Sequence, residues 1–267
     1  MGASELIENR VWYSRMDLPA TITTCVKAED IVKNVWSKYG ETEPYWSVLT
    51  EDKYKTERFS QANVAEFWAS GAQQVSWLKS IYENFYTTET PKVLDYGCGV
   101  GRLTKAWAGA EGCDISEPHL AIASQTCPNQ KFHLIQPGEC PVGYDVIFSL
   151  IVLQHNRPVL MKTCFQNIVK ALNPRGVALL HAPYYIEHMC PSDTIMEMNY
   201  LSKDEVVKAV EEVGGQVLSY NEDKDLCGGD IKNCLYVIYK KVDGEVFFKR
   251  MLKQFSGWDA MSPLPDQ

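Results

Sequence analysis

The chain has 267 residues, 45% of them hydrophobic and 22% charged, a composition that can bury a sizeable core and excludes disorder as a global description. Lys and Arg number 26 against 34 Asp and Glu, and the formal charge of −8 comes with no concentrated basic stripe, which argues against nucleic acid as the partner. No uninterrupted run of about 18 apolar residues predicts a membrane span, and the nine cysteines are dispersed with no C-x-x-C pair, against both a disulfide framework and a zinc ribbon.

Residues 1–90 read as a helical N-terminal cap that covers a substrate. The opening MGASELIENR lacks the apolar core of a secretory signal and has Leu6 where a myristoylation motif carries Ser or Thr. Trp12, Trp36, Trp46, Trp68 and Trp77 crowd this region, alongside Tyr39, Tyr45, Phe59 and Phe67. Between residues 63 and 86, Val64, Phe67, Trp68, Val75, Leu78, Ile81, Tyr82 and Phe85 recur at steps of three and four. That spacing predicts an amphipathic helix, with Gly71 as a break or kink.

From residue 91 to 241 short apolar runs alternate with amphipathic segments, the rhythm of βαβ units and a parallel sheet. The strand candidates are KVLDY (92–96), AEGCDI (110–115), KFHLI (131–135), YDVIFSL (144–150) and VALLHA (177–182). Helices are expected over 101–108, 117–126, 158–172, where NPRG supplies the stop, and 202–213, from a Ser202 cap to Gly214-Gly215. QVLSY (216–220) and NCLYVIYKK (233–241) follow with no helix between them, so they are expected to pair antiparallel. The long, Tyr- and Met-rich stretch 183–200 reads as a lid insertion, and 242–267 as a short C-terminal helix and tail.

The run VLDYGCGVGRLT (93–104) places Gly97, Gly99 and Gly101 directly after the first strand. The nicotinamide fingerprint G-x-G-x-x-G requires glycine at 102, which is Arg102, and no phosphate-cradling G-x-x-x-x-G-K-[ST] run is present. What is left is a ligand passing over the strand's carboxyl end. Asp114 closes the second strand 17 residues after Gly97, where a carboxylate can accept both hydroxyls of a ribose.

In these residues the chain resembles the class I S-adenosylmethionine-dependent methyltransferases of the small-molecule type. VLDYGCGVGRLT looks like their first motif, CDIS (113–116) like the acidic second, YDVIFSLIVLQHN (144–156) like the fourth strand and its loop, and LNPRGVALLHAP (172–183) like the fifth. The resemblance implies a Rossmann-like α/β fold: a seven-stranded, mostly parallel sheet with an antiparallel last strand, helices on both faces and the N-terminal helical cap. It implies that Asp95 and the backbone of Gly97, Gly99 and Gly101 hold the methionine part of S-adenosylmethionine, Asp114 the ribose hydroxyls, and Ile115 the adenine. Members often carry an acidic residue after the third strand for the adenine amino group; this chain reads LIQPGEC, so Gln136 or Glu139 stands in that place. LQHN is similar to the same loop of quinone-pathway O-methyltransferases. Their Glu-His is Gln154-His155 here, so no metal site is carried over.

The implied reaction is in-line transfer of a methyl group to an O or N nucleophile of a small molecule, in which an enzyme supplies alignment, exclusion of water and, for a hydroxyl acceptor, a base. Histidine, with a reference pKa near 6.5, suits that role. His155 and His181 lie at the predicted carboxyl ends of central strands and are the catalytic candidates, while His119 and His133 read as structural. Tyr184, Tyr185 and His188 are the acceptor-binding candidates. The expected partner is a small-molecule acceptor, not nucleic acid or membrane, in the cytoplasm and in no particular oligomeric state. A non-catalytic S-adenosylmethionine-binding regulatory protein, or a methyltransferase of peptide, protein or RNA, are the alternatives.

Overall fold

Seven strands form one sheet in the order β3-β2-β1-β4-β5-β7-β6 in a computed structural model that describes residues 28–85, 90–186, 196, 198–223 and 231–242. They are β1 (Val93–Tyr96), β2 (Glu111–Asp114), β3 (Phe132–Leu134), β4 (Tyr144–Ser149), β5 (Leu172–Ile186), β6 (Gly215–Asp223) and β7 (Ile231–Lys240). β7 alone runs against its neighbours, pairing antiparallel with both β5 and β6. This is the expected mostly parallel, Rossmann-like α/β architecture. The chain builds outward through β1, β2 and β3, then returns to place β4 on the other side of β1. That reversal opens a crevice at the carboxyl ends of β1 and β4, where open α/β sheets bind their ligands.

The central strands are apolar without interruption because both faces of the sheet are covered. One face, with Leu94, Ile147, Leu180 and Tyr236, packs on Phe165 and Ile168 of α5 (Pro158–Ala171) and Val206 and Val210 of α6 (Lys203–Glu211). The other, with Val93, Phe148, Leu179 and Val237, packs on Val75, Leu78 and Ile81 of α2 (Gln61–Tyr82) and Leu103 of α3 (Arg102–Ala106). α4 (Glu117–Thr126) links β2 to β3, and α1 (Ala28–Thr42) lies against it. α6 starts with a full capping box: the Ser202 hydroxyl accepts from the Glu205 N–H while the Glu205 carboxylate accepts from the Ser202 N–H.

Two expectations change. α2 runs unbroken through Gly71, and glycine there lets α2 approach the start of α3: an added Cβ would lie 2.6 Å from the Arg102 carbonyl oxygen. β5 begins at Leu172, straight after α5, so NPRG is drawn into an irregular start of the strand, with Arg175 in the left-handed region at φ +69°. Residues 243–267 of the tail and most of the stretch 183–200 beyond Ile186 lie outside the described residues. Among the described residues no helix is long and apolar enough to cross a membrane.

Candidate active site

The turn after β1 is knitted to β2 by its own backbone. The N–H groups of Gly97 and Cys98 both donate to the Cys113 carbonyl, at 2.8 and 3.0 Å. Asp114, at the end of β2, accepts from the Gly99 N–H on Oδ2 and from the Ser116 N–H on Oδ1, both at 2.8 Å. Each carboxylate oxygen has lone-pair capacity beyond these bonds, so the group can still accept from two neighbouring hydroxyls.

All three glycines sit at positive φ, +77°, +53° and +83° for Gly97, Gly99 and Gly101. Their nearest neighbours are protein. A Cβ on Gly97 would lie 2.4 Å from Cγ1 of Val152, and one on Gly99 would lie 2.8 Å from Cγ2 of Val48. Gly101 faces away, toward Ala123, Cys127 and Phe132, and does not line the cleft. The bare backbone thus admits the β4 loop and the cap close over the turn, and Gly97 and Gly99 also form part of the wall of the cleft between them.

That cleft leaves about 900 Å³ free of protein atoms, open solvent at its mouth included. Asp95, Asp114, Ile115 and His155 all line it, with Ile135, Pro137 and Gly138 beyond Ile115. Asp95 is buried and accepts a 2.6 Å hydrogen bond from the Thr104 hydroxyl. Burial pushes its carboxyl up to about 7, against the opposing pull of Thr104 and Arg102. Arg102, buried on the same wall and pushed down to about 10 by burial, donates to Ser70 Oγ at 3.1 Å and to Gln74 Oε1 at 2.7 Å. The residue that rules out a nicotinamide fingerprint therefore ties α2 to the glycine turn, a role that only the placement of α2 reveals.

After β4 the chain turns sharply. Ile151 takes φ +59°, uncommon for a β-branched residue and a strained conformation of the kind concentrated at functional sites. The turn puts Val152 over Gly97 and leads into the short helix Leu153–His155. His155 lines the cleft, where its ring meets the indole of Trp36 from α1. Gln154 is fully buried, and neither end of its amide has a hydrogen-bond partner among the described residues.

The roof comes from the cap: Val32 and Trp36 of α1, then Ser47 and Val48. His119, at the start of α4, also lines the cleft; its Nε2 is 2.9 Å from Ser47 Oγ and its Nδ1 2.7 Å from Ser116 Oγ. Gln136 and Glu139 do not line it: Gln136 accepts from Lys33, and Glu139 turns back to the Gln136 N–H. His181 is wholly buried within β5, in register with Leu235 of β7, and does not line the cleft. Tyr184 and Tyr185 line a separate, open groove with Ser202 and Lys203, whose ammonium lies 4.1 Å from the centre of the Tyr184 ring. His188 lies outside the described residues. Of the predicted site, Asp95, Gly97, Gly99, Asp114, Ile115 and His155 share one cleft, and His181, Tyr184 and Tyr185 stand apart from it.

Residues 93–176, from β1 to the start of β5, match the model of a methyltransferase domain. Solved structures agree over more of the chain. The fold is similar to magnesium protoporphyrin IX methyltransferase from Synechocystis PCC 6803, solved with bound SAH, at TM-score 0.57 and 16% identity over 79% of this chain and 99% of that one. It is similar to 1,6-didemethyltoxoflavin-N1-methyltransferase from Burkholderia thailandensis, at TM-score 0.55 and 14% identity over 83% and 94%. The [4+2]-cyclase SpnF shares it too, at TM-score 0.55 and 12% identity over 79% and 96%. No curated protein sequence matches the chain.

The Synechocystis methyltransferase is solved with SAH and with SAM bound, and the donor set of the cleft in this chain fits such a group. Asp114 keeps acceptor capacity for two vicinal hydroxyls, and Ile115, Ile135 and Pro137 give an apolar wall for a base on the β3 side. Asp95 and the backbone at Gly97 supply polar atoms on the β1 side.

Proposed function

We propose that this chain transfers the methyl group of S-adenosylmethionine to an O or N nucleophile of a small-molecule acceptor. The observation that carries the reading is that Asp114, at the exit of β2, and His155, beyond the exit of β4, face one cleft at the reversal of strand order. Asp114 would accept the ribose hydroxyls, Ile115 with Ile135 and Pro137 would pack the adenine, and Asp95 with the Gly97 backbone would hold the methionine end. The cofactor supplies an electrophilic methyl on a positively charged sulfur. The protein's own contribution is then to align the acceptor, exclude water under α1, and take up the acceptor's proton on His155. A roofed cleft and two small-molecule methyltransferases among the similar folds support a small acceptor over a peptide, protein or RNA.

In this reading the described part of the cap, residues 28–85, covers the substrate, and residues 91–241 are the catalytic core. A cytoplasmic setting accords with the free state of Cys98, Cys113, Cys127, Cys140, Cys164 and Cys234. A second reading, a cofactor-binding protein without transferase activity, draws on Val48 and Val152 closing over Gly99 and Gly97, which narrows the space at the turn.

Titration calorimetry with S-adenosylhomocysteine, followed by incubation with methyl-labelled cofactor and a metabolite extract, tests both. Binding with label moving to a small molecule supports the first reading. Binding with no labelled acceptor leaves the second, and no binding removes both.

A further inference from the structure

His119 is engaged by the cap on one side and by the cofactor-facing strand end on the other. Its Nε2 meets Ser47 Oγ, from the segment after α1, at 2.9 Å. Its Nδ1 meets Ser116 Oγ, the N-cap of α4, at 2.7 Å. Ser116 Oγ in turn donates to the Trp36 carbonyl of α1 at 3.2 Å, and its N–H donates to Asp114. Ser47, Ser116 and His119 are all buried. Gly40 of α1 closes the arrangement from above: a Cβ there would lie 2.8 Å from His119 Nδ1 and 2.9 Å from Ser116 Oγ.

Burial draws the pKa of His119 down, against the pull of Asp114 and the Pro44 carbonyl, so the imidazole is neutral with one N–H. Each ring nitrogen lies within hydrogen-bond distance of one serine hydroxyl, and which of them carries the proton follows the tautomer. The Ser47 hydroxyl donates to the Pro44 carbonyl at 3.1 Å, which holds its oxygen beside Nε2. A neutral imidazole donates at one nitrogen and accepts at the other, so in either tautomer it engages both serines.

We propose that His119 is a positioning residue: it fastens the cap segment from Trp36 to Ser47 onto Ser116, and through Ser116 onto Asp114, so that closure of the roof and orientation of the ribose-binding carboxylate form one unit. The inference rests on the methyltransferase reading above and adds that cofactor residence is set at His119, acting through Ser47 and Ser116.

The test is the dissociation rate of S-adenosylhomocysteine from the full chain, read by tryptophan fluorescence in stopped flow, with melting temperature as a control. His119→Ala and Ser47→Ala are each expected to release it roughly five- to tenfold faster, the scale of one or two lost hydrogen bonds. The double variant should release it no faster than the faster single one. His119→Gln, whose amide both donates and accepts, should restore the rate to within about threefold. Gly40→Ala keeps every hydrogen-bonding group and should still speed release by lifting α1, which serves where His119→Ala melts early. Wild-type release rates in Ser47→Ala and Gly40→Ala, or single effects that multiply in the double variant, overturn the coupling while leaving the cofactor reading intact. Failure of the wild-type chain to bind S-adenosylhomocysteine overturns the cofactor reading and the latch together.

Discussion

The indole of Trp36 meets the imidazole of His155 edge to face, with ring centroids 5.0 Å apart and planes at 60°. One ring comes from the cap and the other from the turn after β4, so both bound the cleft. His155→Ala should lower turnover by about a hundredfold or more, the usual scale for a lost general base, while S-adenosylhomocysteine affinity stays within about threefold. Trp36→Leu should instead raise the KM for the acceptor and change kcat little. Steady-state kinetics with the acceptor, beside calorimetry, separates the two; a parallel loss of affinity in His155→Ala would make that histidine a wall of the cofactor site.

Asp114 has two duties, accepting from the turn and facing the cleft. Asp114→Ala should cost the cofactor about a hundredfold in affinity, since hydrogen bonds to a charged group contribute about 1.5–3 kcal/mol each. Asp114→Asn should fall between, because its single carbonyl oxygen can serve one of the two backbone donors. Calorimetric affinity equal to wild type in the alanine variant removes Asp114 from the ribose site.

Gly97→Ala faces two penalties, a left-handed backbone at φ +77° and the contact with Val152. The backbone share is about 1–2 kcal/mol. Val152→Ala in the same chain should recover the steric share only. Urea denaturation of the three variants reads the split, and full recovery would show that the backbone at 97 relaxes freely.

Asp95 runs opposite to the usual carboxylate. Its pKa in the folded chain is raised from 3.8 to about 7, so between those values the native state keeps a proton that the unfolded chain has released. Stability of the unliganded protein therefore falls as pH rises through that window, by at most about 1.4 kcal/mol per pH unit. Asp95→Asn should flatten this component. Denaturant midpoints at several pH values, wild type minus variant, isolate it from other groups, and a difference independent of pH would place the pKa of Asp95 near its ordinary range.

The strands were legible because their faces are both buried: a run such as YDVIFSL has no polar alternation to confuse with a solvent-facing strand. The start of α6 was legible from Ser202, whose capping chemistry is local. Gly71 was not, because its demand comes from the Arg102 carbonyl on another helix. Asp114 and His155 could be placed from strand ends alone. His119 could not, since its partners Ser47 and Trp36 (through Ser116) are brought to it by the docking of the cap. Tyr184 and Tyr185 were expected to bind the acceptor; β5 continues to Ile186 along β7 and carries them to a second groove.

The cap's hold on Ser116, His119 and His155 also dictates an order of assembly. α1 leaves the ribosome more than seventy residues before the first of these surfaces exists and about 120 before the last, so nothing it will rest on is there to receive it. During synthesis its aromatic face must wait, exposed, until β4 and its turn have emerged. Its contacts lie apart from those that hold the strands together, so damage to that docking is expected to open the crevice before it unfolds the sheet.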